Sequence, residues 1–327
     1  MAGLVVLLKR HWFLIGIAAA VALATCTAEF GRWIDHFEVG IGGTTMQFGA
    51  SKLAIVGLFF IAGVAISLHH LDRELRNPRL HLFIQGFVYL LTPALVYLTS
   101  FWIPDGPMKM GVYLLAALPT TISSCVAFTA AARGNALAAI LNSVGSNLLG
   151  IVLSPLLVGL MIGRGGGVPP GAVGKLMLEM TLLVFVPFVL GQAAAAHFDE
   201  WRERMSGVQS VLSQLLVLLL SYCAFSKSIA TLAEQLGVMW QVFAYLAVVQ
   251  VVLLFLAALL TRGAGLPVPD RAAAIFCSTQ KTMAFGLPIA YSLHIEVLPL
   301  VFYYLFQMLT ASLFLQTWNR RQARRSV

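Results

Sequence analysis

Long apolar stretches separated by short polar turns recur along the whole chain, at roughly 12–28, 48–68, 80–100, 109–132, 136–162, 172–196, 207–226, 236–261, 272–291 and 297–317. Most are about 18–25 residues long, the length at which a helix crosses hydrocarbon. The pattern predicts an all-α polytopic membrane protein of ten transmembrane helices. In two of the ten the apolar pattern fails midway. The fourth carries Pro119-Thr120-Thr121-Ile122-Ser123-Ser124-Cys125, and the ninth carries Ser278-Thr279-Gln280-Lys281-Thr282 followed by Gly286 and Pro288. Hydroxyls, an amide and an ammonium cannot face lipid, and lysine at mid-membrane costs roughly 2.5–3.5 kcal/mol on insertion scales. Pro119, Gly286 and Pro288 weaken or break a helix and free carbonyls inside the membrane, so spans four and nine are expected to be discontinuous and to build a site together.

Other polar residues extend that site. In span five, Asn142, Ser143, Ser146 and Asn147 recur at helical spacing and form one stripe beside span four. Gln85 in span three is either a helix-to-helix hydrogen bond or a ligand of the site. Tyr303, Tyr304, Gln307 and Thr310 in span ten are candidates for a crevice wall. Lys175 and Glu179 stand four residues apart and can satisfy one another. The outer loop 29–47 reads as an exposed connection.

The run Arg164-Gly165-Gly166-Gly167-Val168-Pro169-Pro170 divides the spans five and five. An odd number in each half makes the second half enter from the opposite side, which is the geometry of an inverted repeat. The expected organisation is a first five-span repeat over 1–163, a linker over 164–171, a second repeat over 172–318 and a basic tail over 319–327. The polar interruption falls in the fourth span of each repeat.

Composition agrees with this and places the charge. Hydrophobic residues are 59% of the chain and charged ones 10%, where soluble domains run near about 25% charged. The net charge of +8 follows from Lys and Arg gathered on one side, among them Lys9, Arg10, Arg73, Arg262, Arg271, Arg320 and Arg321. The positive-inside rule makes that side cytoplasmic, with both termini expected there and the protein expected in the plasma (inner) membrane. The excess then implies contact with anionic lipid, not nucleic acid. The four cysteines, Cys26, Cys125, Cys223 and Cys277, lie in separate apolar segments without metal-ligand spacing and are expected as free thiols. Lys9-Arg10 before an apolar run resembles a signal peptide, but the run is long and its cleavage site poor, so it is read as span one.

The chemistry available is that of binding. Ser124, Ser143, Asn147 and Gln280 offer neutral oxygens to a candidate Na⁺, with Ser123, Asn142 and Thr282 nearby. Lys281 either supplies the charge that a bound cation would bring or attracts an anionic solute, and it can carry H⁺ through a transport cycle. The chain holds no HExxH, no GxSxG and no pair of intramembrane aspartates, so those hydrolase and protease readings lack their minimum parts. A secondary transporter of an organic anion fits best; a channel-like protein or a regulator of ion flux could use the same polar breaks.

The runs Leu118–Ser124 and Ala132-Arg133-Gly134-Asn135-Ala136-Leu137-Ala138, with Ser278–Pro288, resemble the bile acid:sodium symporter family, nearest the bile-acid-symporter-like branch related to the seventh member of solute carrier family ten. The resemblance spans the chain in helix number and order. It implies a panel of spans one, two, six and seven and a core of spans three to five and eight to ten, with spans four and nine crossing. It also implies sodium sites that here fall at or near Ser124, Cys125, Ser143 and Asn147, at Gln280, and about one turn from Gln85. Two departures stand out: Phe276 takes the place of a glutamate, and Lys281 that of an asparagine.

Overall fold

The computed structural model describes residues 15–36, 38–41, 44–47, 49–65, 77–166, 172–197, 199–234 and 236–324. On length and composition, six helices among them can cross a membrane: α4 (Pro78–Trp102) and the apolar parts Ala136–Ile162, Gly174–Ala195, Val211–Ile229, Gly237–Gly263 and Leu298–Ala323 of five others. Those five are α7 (Ala136–Gly166), α8 (Ala172–Met180, Thr181–Phe185 and Val186–His197 in succession), α9 (Asp199–Glu234), α10 (Leu236–Gly263) and α13 (Leu298–Ala323). Two bent pairs raise the number to eight if each is one span: α1 (Ile15–Cys26) with α2 (Ala28–Ile34) at 100°, and α5 (Pro107–Ala117) with α6 (Ile122–Ala131) at 57°. The shorter α3 (Ala50–Ala65) is apolar, and α11 (Val268–Thr279) and α12 (Met283–Ser292) flank a gap at 280–282.

The outer loop departs from the sequence reading. It contains α2 and an antiparallel hairpin, β1 (Glu38–Ile41) with β2 (Thr44–Gln47), in which Glu38 pairs with Gln47. Two further expectations shift. α7 continues through Gly166 into the expected linker, and α13 continues to Ala323 inside the expected tail. Residues 167–171 and 325–327 lie outside the described residues.

The described residues fall into two compact units, one within Met1–Ala65 and Leu182–Leu236, the other within Ile66–Thr181 and Gly237–Val327. In the first, α3 packs against the Val186–His197 part of α8 and against α9. Two glycines permit that approach. A Cβ on Gly63 would sit 2.3 Å from the Phe188 carbonyl, and one on Gly191 2.2 Å from that of Phe60; small residues are what let helix backbones meet in lipid. Gln192 Nε2 then donates to the Gly63 carbonyl at 2.7 Å. Asp35, just past α2, is buried. Its Oδ1 accepts from the Ser51 amide at 2.7 Å and hydroxyl at 2.6 Å, and its Oδ2 pairs with Lys227 Nζ at 2.5 Å.

In the second unit, Leu80, Ile84 and Val88 of α4 share a core with Ala138 and Ala139 of α7 and with Ala272, Ala273, Ala274 and Phe276 of α11. A buried carboxylate fastens the starts of three helices. Asp270, in the first turn of α11, accepts from Asn77 Nδ2 at 3.0 Å and Asn135 Nδ2 at 2.9 Å. The side-chain oxygen of Asn77 caps α4 at the Leu80 amide, and that of Asn135 accepts from the Ala138 amide at the start of α7. Such caps satisfy amides that a helix start otherwise leaves open.

Candidate functional site: the junction of two broken helices

Between α5 and α6 the chain is extended over 118–121, and between α11 and α12 over 280–282. The two extended segments touch: the Thr282 amide donates to the Pro119 carbonyl at 3.1 Å. Pro119 lies in the first gap. Gly286 and Pro288 do not lie in the second; both sit inside α12, which runs unbroken from Met283 to Ser292. The ninth-span interruption is therefore the polar run itself, and the proline only removes one donor from the helix that follows.

A break frees backbone groups that must find partners in a dry interior. Every carbonyl from 116 to 121 has one. Ala116 and Leu118 accept from Lys281 Nζ at 3.2 and 2.7 Å, and Ala117 accepts from Ser154 Oγ at 2.7 Å. Pro119 accepts from Thr282, Thr120 from Asn147 Nδ2 at 2.9 Å, and Thr121 from Cys125 Sγ at 2.6 Å. The second gap is closed by Gln307 of α13, whose Oε1 accepts from the Lys281 amide at 2.6 Å while its Nε2 donates to the Lys281 carbonyl at 3.0 Å. Tyr303 adds a hydroxyl donated to the Thr279 carbonyl at 3.2 Å.

Lys281 is at the centre, 2% exposed. Its third acceptor is the Val88 carbonyl at 3.1 Å, and the local backbone explains why that oxygen is free. Residues Phe87–Leu91 form a π-turn in which the Thr92 amide bonds to Phe87. In that register the donor for Val88 would be residue 93, a proline without an N–H. Among the described residues no carboxylate pairs with the ammonium. Its charge rests on three carbonyl dipoles, so it is solvated by the backbone yet uncompensated in sign.

The other expected residues divide. Ser124 donates to Gln280 Oε1 at 3.1 Å, bridging α6 to the second gap, and Gln280 Nε2 donates to the Gln307 carbonyl at 3.3 Å. Ser143 Oγ donates to the Ala139 carbonyl at 2.6 Å and lies 2.8 Å from Cys125 Sγ. Asn147 uses both amide hydrogens, on Thr120 and Ser143 carbonyls, while its Oδ1 is buried without a donor, as is Thr120 Oγ1. Ser146 accepts from the Thr120 amide at 3.2 Å. The stripe on α7 is thus split: Ser143, Ser146 and Asn147 serve the first gap, but Asn142 turns to α4, where His81 Nδ1 lies 3.0 Å from its Oδ1 and Gln85 Nε2 donates to its carbonyl at 3.1 Å. Gln85 makes the helix-to-helix bond and keeps Oε1 buried without a partner. Ser123 is exposed. Phe276 stacks on Phe128, with centroids 5.4 Å apart, and meets Phe314 edge-on at 6.0 Å, so the place of the resembled glutamate is filled by an aromatic cluster. All four cysteines are free.

Gln307 was visible in the sequence only as a wall residue; its pairing with Lys281 spans 26 positions. The carbonyl acceptors carry no sequence letter, though Pro93 and Pro119 mark where two of them arise. Glu179, expected to serve Lys175, accepts a hydrogen bond from the Ser292 hydroxyl at the end of α12.

The profile of the SBF-like CPA transporter family (DUF4137) matches residues 11–320. An Escherichia coli (strain K12) protein named "Putative symporter YfeH" is 30% identical over 324 residues, covering 94% of this chain and 93% of that one. "Sodium/bile acid cotransporter 7" of Mus musculus is 29% identical over 331 residues, covering 94% and 92%. "Sodium/bile acid cotransporter 7-A" of Xenopus laevis is 27% identical over 333 residues, covering 96% and 93%.

Proposed function

The chain belongs to the SBF-like CPA transporter family, and from that premise we propose that this membrane transporter carries an organic anion by alternating access, with the ammonium of Lys281 standing where a coupling cation would otherwise sit. One observation carries the reading. The junction of the two broken helices holds the buried ammonium of Lys281 with three carbonyls and, among the described residues, no carboxylate around it. A site of that sign favours an anion, and helix ends exposed at a break can turn amides toward it.

The sodium named in the mouse and Xenopus relatives belongs to those proteins. A Na⁺ ion at the first gap here would find Asn147 Oδ1 and Thr120 Oγ1 open, both neutral, beside a phenyl stack and not a glutamate. On this reading transport is independent of Na⁺. The architecture we attach to it is two inverted five-span repeats, 1–163 and 172–318, around the 164–171 linker, with interruptions at 118–121 and 280–282 supporting the correspondence. The first compact unit acts as the panel and the second as the core. Both termini are placed in the cytoplasm, in a plasma or bacterial inner membrane.

Counterflow in proteoliposomes, using a panel of organic anions with Na⁺ or choline as the bulk cation, tests the proposal. At least one anion should exchange against itself at equal rates in both salts. Current without counterflow would establish a channel-like protein instead, and exchange confined to Na⁺ would return the coupling role to a bound ion.

A further inference from the structure

Away from the junction, an open cavity of about 930 Å³ lies between α10, the start of α11 and the end of α13. Its walls change character along their length. Val251, Phe255, Leu259 and Phe314 belong to the lengths of α10 and α13, whereas Arg262, Arg321 and Arg324 stand at or just past the ends of those helices and Arg271 near the start of α11, with no Asp or Glu among the lining residues. Among the described residues none of the four arginines is in an ion pair with a carboxylate. Asp270, next to Arg271, is already bonded to Asn77 and Asn135. Three of the arginines also sit where helices end: Arg262 in the last turn of α10, Arg321 in the last turn of α13 and Arg324 just beyond it.

A snorkelling explanation accounts for arginines at helix ends one by one. It does not account for four of them, from three elements, around one cavity whose apolar part continues along lipid-length helices. We propose that this cavity binds an anionic phospholipid, its phosphate held by Arg262, Arg271, Arg321 and Arg324 and its acyl chains lying along Phe255, Leu259 and Phe314. Guanidinium forks match phosphate oxygens two at a time. Basic pockets between membrane helices are suited to such headgroups.

The position gives the lipid something to act on. Arg271 belongs to α11, the half-helix that ends at the Lys281 gap. Trp318, on the cavity wall, donates from Nε1 to the Ala132 carbonyl at 3.2 Å, and the adjacent Asn319 Nδ2 donates to the Ala131 carbonyl at 3.2 Å, at the end of α6. A lipid seated here therefore braces, in both half-helices that meet at the junction, the end remote from it.

The test is binding of phosphatidylglycerol and phosphatidylcholine to the full-length purified protein, by native mass spectrometry and by thermal unfolding in detergent. Phosphatidylglycerol should be retained and raise the unfolding midpoint; phosphatidylcholine should do neither. A triple variant, Arg262→Gln/Arg271→Gln/Arg321→Gln, should lower phosphatidylglycerol affinity about a hundredfold, from about fivefold per arginine. A control with the same charge loss outside the cavity, Arg79→Gln/Arg133→Gln/Arg320→Gln, should stay within about threefold of the parent. Ala258→Phe, which fills the apolar part and leaves every arginine, covers the case in which the triple variant does not fold. It should weaken phosphatidylglycerol while leaving any response to glycerol 3-phosphate or inorganic phosphate unchanged. Equal retention of both lipids, equal losses in the two triple variants, or phosphatidylglycerol binding unaffected by Ala258→Phe overturns the proposal. A response to the soluble phosphates that matches phosphatidylglycerol would likewise replace the lipid with a free anion.

Discussion

Two lysines in this protein hold their charge in different ways. Lys227, in the first unit, meets the carboxylate of Asp35 at 2.5 Å. Lys281, in the second, meets the carbonyls of Val88, Ala116 and Leu118 and, among the described residues, no carboxylate. The first arrangement cancels charge and fixes a loop to a helix. The second satisfies hydrogen bonds without cancelling charge, so the field of the ammonium persists at the junction. A paired lysine is a brace; an unpaired one, solvated by a broken backbone, is a source of attraction for an anion.

The largest expected effect tests the brace. Asp35→Ala removes the carboxylate that Lys227 meets and the oxygen that accepts from the Ser51 amide and hydroxyl. Breaking a buried pair from one side costs about 3–5 kcal/mol, and the partial exposure of Lys227 places the loss near about 3 kcal/mol, read as a lower unfolding midpoint in detergent. Lys227→Met in the Asp35→Ala background should recover part of it.

Lys281→Met reverses the pattern. Transport should fall at least about a hundredfold, equivalent to about 2.7 kcal/mol in the transport barrier, while stability changes by under about 2 kcal/mol. The lost charge no longer has to be buried, and that offsets the carbonyls left unpaired. A variant that unfolds like Asp35→Ala but transports when folded would make the two lysines equivalent.

Gly63→Ala is a smaller test of how the first unit is built. Its new methyl meets the Phe188 carbonyl, and separating α3 from α8 should cost about 1–3 kcal/mol with no change in ion dependence. The smallest effect is expected from Gln85→Met, which removes one hydrogen bond to the Asn142 carbonyl. About 1 kcal/mol or less of stability and uptake within about threefold of the parent fit a packing role. A large loss of uptake with stability intact would make Gln85 part of the solute site.

Much of this was legible in the chain because lipid punishes misplaced polarity. Polar letters inside apolar runs located both gaps, and Ser124, Ser143, Asn147, Gln280 and Lys281 gather around them. The misses share a cause: they depend on partners that pattern alone does not join. Asp35 and Lys227 are 192 positions apart, and a glycine-rich loop gave no sign that one of its carboxylates was buried. Asn142 stands four residues from Ser146, as Ser143 does from Asn147, yet the stripe is broad enough for its two ends to face different neighbours. Gly286 and Pro288 looked like the cause of the ninth-span interruption, but residues within a helix tolerate one missing donor more readily than a run of hydroxyls tolerates lipid. The acceptors of the ammonium are backbone oxygens, invisible in sequence except through Pro93 and Pro119.

The most direct test of the junction is chemical replacement of its charge. Lys281→Ala leaves three carbonyls around a space the length of a butyl chain, and propylammonium can enter it where 1-propanol, of the same length, brings no charge. The account predicts that the variant loses anion uptake, that millimolar propylammonium restores a substantial part of it and raises the unfolding midpoint, and that 1-propanol does neither. Uptake by Lys281→Ala at the parent rate, or equal recovery with the alcohol, would contradict it.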